Sequence, residues 1–103
     1  MIDTAIFVPA FDNDGQLFPA TAWHELEERL LQTFGGFTQR EGVRGAWRSP
    51  SGRVYRDEHS EYSVVIKGWN SLPEWLSIAH WIRETWQQEE VYIKIAGIPD
   101  FLM

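Results

Sequence analysis

Three small groups of side chains in this sequence have the right types and spacing to do chemistry. His24, Glu27 and Glu28 stand at i, i+3 and i+4. On a helix that spacing gathers an imidazole and two carboxylates on one side, the donor types a zinc-like ion takes. Carboxylates near a helix start are also favoured by the helix dipole, and a metal needs a further ligand, so no metal is assigned. Asp57-Glu58-His59 sets carboxylates beside an imidazole, the pairing used for general acid–base work; in a bent edge strand the same triplet is a solvated kink. Lys67, Tyr92 and Lys94 fall at strand positions that alternate outward, where they would form an anion or small-ligand contact on a sheet face. The chain has no HExxH, no phosphate-binding glycine loop and no GxSxG, so no catalytic residue and no cofactor are expected.

The elements that must carry these groups are legible from periodicity. Thr4 to Ala10 is a short apolar run closed by Pro9, the pattern of a central strand. Asp12-Asn13-Asp14-Gly15 and Pro19 mark a loop. With Thr21 as cap, Trp23, Leu26, Leu30 and Phe34 then recur at helical spacing, and Gly35 or Gly36 ends that helix. Val43, Gly45 and Trp47 alternate with Arg44, Ala46 and Arg48, Ser49-Pro50-Ser51-Gly52 fits a type I turn, and the chain returns through Tyr62, Val64 and Ile66. Glu58-His59-Ser60 reads as a bulge in that return strand. Ser71-Leu72-Pro73-Glu74 is a helix start with a capping box, followed by the stripe Trp75, Ile78, Ala79, Ile82 and Trp86. Val91, Ile93 and Ile95 make a last strand, ended by Gly97 and Pro99.

Strand, helix, strand, strand, helix, strand is the ferredoxin-like βαββαβ order of a single α+β domain over residues 1–103, with a four-stranded antiparallel sheet and two helices on one face. The other sheet face is left open. Two copies packing there would give a homodimer. Trp81, on the flank of the second helical stripe, and Phe101 and Leu102, in an apolar tail, are candidate interaction residues.

Composition narrows the classes of function. With 103 residues there is room for one domain. The absence of cysteine excludes disulfides and thiolate metal sites and fits a cytoplasmic location. No apolar run reaches the roughly 20 residues of a membrane span, and no signal peptide is visible. A net charge of −6 repels nucleic-acid phosphates. Arg40, Arg44, Arg48, Arg53 and Arg56 all fall in the hairpin, where arginine keeps an exposed edge soluble.

Phe34-Gly35-Gly36-Phe37-Thr38, then Gly45-Ala46-Trp47, Gly52 and Tyr62-Ser63-Val64 resemble a pattern in small uncharacterised bacterial and mobile-element proteins, over about Leu26 to Ile66. The resemblance implies a ferredoxin-like domain and carries no activity. More distantly, the layout is similar to dimeric α/β-barrel proteins. The expectation from sequence is a non-enzymatic interaction or assembly domain that self-associates through its sheet face. The alternatives are a small-molecule binder or minor enzyme on that face, and nucleic-acid binding through the arginine hairpin.

Overall fold

The computed structural model describes all residues, 1–103. Strand β1 (Ile2–Pro9) is followed by helix α1 (Ala20–Phe34), strands β2 (Thr38–Arg48) and β3 (Val54–Ile66), helix α2 (Leu72–Thr85), and strands β4 (Val91–Ile95) and β5 (Ile98–Leu102). The strands form one antiparallel sheet in the order β2-β3-β1-β4-β5. β1 is central, as its two-sided apolar run requires. No helix is long and apolar enough to cross a membrane.

The sheet has five strands rather than the expected four. Gly97 and Pro99 do not end the fold. Ala96 (φ 52°) and Gly97 (φ 78°) both take left-handed backbone, the geometry of a tight hairpin turn, so the tail folds back and Tyr92 pairs with Phe101 and Val91 with Leu102. The apolar tail thus docks on its own sheet. The bulge is also displaced: β3 runs unbroken, and the register shifts in β2 between Arg40 and Val43. Gly42, at φ 67°, is the residue that accommodates the extra position.

Helix α1 begins at Ala20 directly after Pro19, one residue before the expected cap, and Gly35 closes it in left-handed conformation with its N–H donated to the carbonyl of Leu31. Ser71 makes no side-chain cap bond to α2, because a single 3-10 turn, Trp69–Ser71, leads into the helix and holds Ser71 in helical backbone. Ser49 and Gly52 close the β2–β3 turn by a backbone hydrogen bond of 2.9 Å.

Both helices cover one face. The core joins Ile6 and Val8 of β1, Tyr62, Val64 and Ile66 of β3 and Val91 and Ile93 of β4 to Leu26 and Leu30 of α1 and to the α2 stripe Trp75, Ile78, Ala79, Ile82 and Trp86. The period-2 and period-3.6 patterns therefore meet face to face. The opposite face carries an aromatic row: Phe7, Tyr92 and Phe101 lie with successive centroids 4.8 and 5.2 Å apart.

Candidate functional site

Where the start of α1 passes over β3 and the bulged part of β2, the helix and sheet stand apart and leave a cleft of about 440 Å³. Helix periodicity points Trp23, His24 and Glu27 into it. Strand alternation brings in Glu58, Ser60 and Tyr62, every second residue of β3. The β2 bulge supplies Glu41 and Gly42, and Leu17 of the preceding loop forms part of the wall. That loop is ordered: one carboxylate oxygen of Asp12 accepts the backbone N–H groups of Asp14 and Gln16, and Asn13 donates its side-chain amide to the carbonyl of Gln87 just beyond α2.

At the back of the cleft the phenol of Tyr62 donates a 2.7 Å hydrogen bond to Glu27, a partner 35 residues away in sequence. Burial raises the phenol above its ordinary pKa, and the Glu27 hydrogen bond with the charges of Glu27 and Glu41 pushes it further. Tyr62 is therefore a fixed proton donor that orients the carboxylate, and not a base. Trp23 lies nearly parallel to the Tyr62 ring, with centroids 6.3 Å apart and planes at 20°. Gln39 donates to the Ser60 hydroxyl at 3.3 Å, and at the rim Arg44 faces Glu58 at 3.6 Å. The lining holds three carboxylates, Glu27, Glu41 and Glu58, and no lysine or arginine. Such a wall attracts a cation, beside an aromatic surface that can take a planar ring. The volume suits a small molecule.

The groups picked from sequence are redistributed. His24 and Glu27 do reach one cleft, whereas Glu28 stays on the exposed side of α1, and no three His, Asp or Glu side chains converge as metal ligands. Glu58 and His59 are neighbours on a strand, so they face opposite sides of the sheet and cannot act together. Tyr92 and Lys94 lie on the open face, Lys94 over the Phe7 ring at 5.6 Å. Ala5 pairs with both Lys94 and Ser63, which leaves Lys67 four residues further along, roughly 13 Å away by strand rise. Trp81 is half-buried, edge-on to Trp86 at 6.1 Å and covered by the Arg29 guanidinium at 4.0 Å. Phe101 packs on Tyr92 on the open face, and Leu102 packs against the core. Sequence reasoning did not select Tyr62, Trp23, Glu41 or Glu58 as one site. Gly42, immediately before Val43 in the strand pattern, was the visible trace of the bulge, but it names no partner.

Burial lowers the His59 imidazole below its usual 6.5, against the opposing pull of Asp57. Between the lowered folded value and 6.5 the unfolded chain binds more protons than the folded one, so stability is full above that window and falls as pH drops through it. His59→Gln is expected to flatten this acid limb. Urea midpoints at about pH 5 and about pH 7.5 check it, and an unchanged slope in the variant would remove His59 as the cause.

No protein-family description matches the chain, and no curated protein does. Solved structures do. The chain is similar to a phage SAM lyase in complex with S-methyl-5′-thioadenosine, with a TM-score of 0.64 and 17% identity over 97% of this chain and 85% of that one. It is also similar to a phage SAM lyase in its apo state, with a TM-score of 0.58, 15% identity and the same coverage. At this identity the likeness establishes a shared fold. It also corrects the expectation of a non-enzymatic interaction domain. The architecture that fills nearly the whole chain is one that an enzyme uses, and the acid-lined cleft lies under α1.

Proposed function

We propose that this protein is a lyase of S-adenosylmethionine that binds its substrate in the cleft under α1 and releases S-methyl-5′-thioadenosine. The observation that carries the reading is the fold shared over 97% of the chain with a lyase holding that nucleoside; the acid-lined, aromatic-walled cleft supports it. The substrate is a cation at sulfur and carries a second positive charge on its amino group. Glu27, Glu41 and Glu58 supply the complementary charge, and the half-exposed Trp23 offers a flat surface to the adenine.

Release of the thioether breaks the bond between sulfur and the γ-carbon. The electron pair stays on sulfur, which becomes neutral. The carbon is then satisfied by closure of the substrate's own carboxylate oxygen onto it, or by loss of a β-proton to solvent, its C–H electron pair forming an alkene. Neither route consumes water or an oxidant. Positive charge at sulfur disappears along the reaction, so surrounding carboxylates stabilise the bound substrate more than the transition state. Their work is capture and orientation, and the apolar walls of the cleft favour the charge-cancelling step. A cytoplasmic location goes with this reading.

The test is incubation of the purified protein with S-adenosylmethionine and chromatography of the nucleosides. Accumulation of S-methyl-5′-thioadenosine is expected. Absence of saturable binding, or conversion only to S-adenosylhomocysteine by methyl transfer, would overturn the assignment.

A further inference from the structure

The face of the sheet that floors the cleft continues beyond it. Glu58 is the outermost β3 residue of the lining, and Arg56 follows on the same side. On β2, Arg44 pairs with Glu58, Ala46 with Arg56 and Arg48 with Val54. Directly paired residues share a face, so Arg44 and Arg48 stand on that side too. Charge therefore changes sign along one surface. Glu27, Glu41 and Glu58 lie inside the cleft with no lysine or arginine. Arg44, Arg56 and Arg48 lie exposed just outside it.

Arg44 sits at the change of sign. Its Nε is 3.6 Å from a carboxylate oxygen of Glu58, and its two terminal nitrogens have no protein partner. The side chain is 82% exposed, so that edge of the guanidinium is open to a ligand. A free guanidinium edge binds a carboxylate through two parallel hydrogen bonds.

S-adenosylmethionine carries two cationic groups and one anionic group. Its sulfonium and amino groups meet carboxylates within the cleft, but its own α-carboxylate meets only like charge there and is repelled. The field therefore turns the sulfur inward and the carboxylate outward. We propose that Arg44 and Glu58 form a clamp for the α-amino-acid head of the ligand. Glu58 accepts hydrogen bonds from the ammonium, and the free edge of Arg44 donates to the carboxylate. Arg44 thereby selects ligands that keep a free α-carboxylate. The carboxylate retains unused lone pairs when so held, so closure onto the γ-carbon stays open to it. The inference rests on the proposed substrate and not on which bond breaks.

Calorimetric titration with three nucleosides tests the clamp: S-adenosylmethionine, its decarboxylated analogue, and S-adenosylhomocysteine, which has the same head and a neutral sulfur. Arg44→Ala is expected to weaken binding of the two carboxylated ligands by about ten-fold, and to leave the decarboxylated analogue unchanged or bound more tightly. Arg44→Lys keeps the charge without the fork and should recover part of the loss. Glu58→Gln should weaken all three, since all carry the amino group. Arg44 is exposed on an edge strand, so the variants should fold, and circular dichroism checks that they do. Equal loss for carboxylated and decarboxylated ligands, or no loss, would overturn the clamp; the lyase assignment survives that result if S-methyl-5′-thioadenosine still forms. Carboxylate-selective loss without turnover upholds the clamp and removes the lyase reaction. Failure of the wild-type protein to bind any of the three would overturn both.

Discussion

If the proposed lyase reaction is right, Glu27→Gln is expected to raise the KM for S-adenosylmethionine by ten-fold or more while changing kcat far less. The substitution replaces one oxygen by nitrogen and removes a negative charge. The remaining amide oxygen can still accept the Tyr62 hydrogen bond, so the fold loses little. A single charge about 6 Å from a cation, at an effective dielectric near 20, is worth about 3 kcal/mol before solvent discounting, and half of that is already a factor of about ten. The loss falls on binding because the sulfonium charge vanishes as the bond breaks. Tyr62→Phe keeps the carboxylate but removes the 2.7 Å hydrogen bond that aims it, so a smaller rise in KM is expected. The double variant should be no worse than Glu27→Gln alone, since Tyr62 acts through Glu27. Steady-state kinetics and calorimetric titration check this. A fall in kcat with KM unchanged would instead make Glu27 a group that acts in the transition state.

Trp86→Ala should lower the melting temperature by about 15–30 °C, the equivalent of roughly 3–5 kcal/mol in a domain of this size. Trp86 is buried where α2 ends, in contact distance of three other aromatic rings: Phe18 at 5.3 Å, Trp23 at 5.4 Å and Trp81 at 6.1 Å. Truncation opens a cavity under all three, in a fold whose total stability is of the order of 5–15 kcal/mol. Trp23 lines the cleft and rests on Trp86, so ligand affinity should weaken along with stability. The indole N–H has no hydrogen-bond partner. Trp86→Phe therefore removes an unpaired polar group while keeping most of the ring contacts, and should cost no more than about 2 kcal/mol. Thermal and urea unfolding of the two variants separates these contributions. A phenylalanine variant as unstable as the alanine one would show that the indole N–H is satisfied in solution.

The helical stripes and the alternating strands were legible because they are local. Leu26 and Leu30, the α2 stripe from Trp75 to Trp86, and Tyr62, Val64 and Ile66 needed only their spacing to declare a buried side, and they are buried. The fifth strand was missed because Gly97 and Pro99 read as stops. A glycine in left-handed backbone serves equally to end a strand or to turn a hairpin, and only the pairing of Tyr92 with Phe101 decides between them. The bulge was assigned to the wrong strand for a similar reason. A hairpin accommodates one extra residue in either arm, and it is the left-handed Gly42 that places it in β2.

The sequence by itself determined the element order from β1 to β4, which side of each of those elements is apolar, the division of charge between the arginine-rich hairpin and the acidic remainder, and the end of α1 at the Gly35-Gly36 pair. These follow from interactions between residues a few positions apart. The cleft belongs to tertiary structure. Glu27 and Tyr62 are 35 residues apart and meet only because α1 crosses over β3, and Glu41 joins them only because the bulge sits in β2. Each of those carboxylates alone is an ordinary surface charge. Their convergence around a buried phenol depends on the packing of helix on sheet, a relation between distant segments that no local spacing encodes.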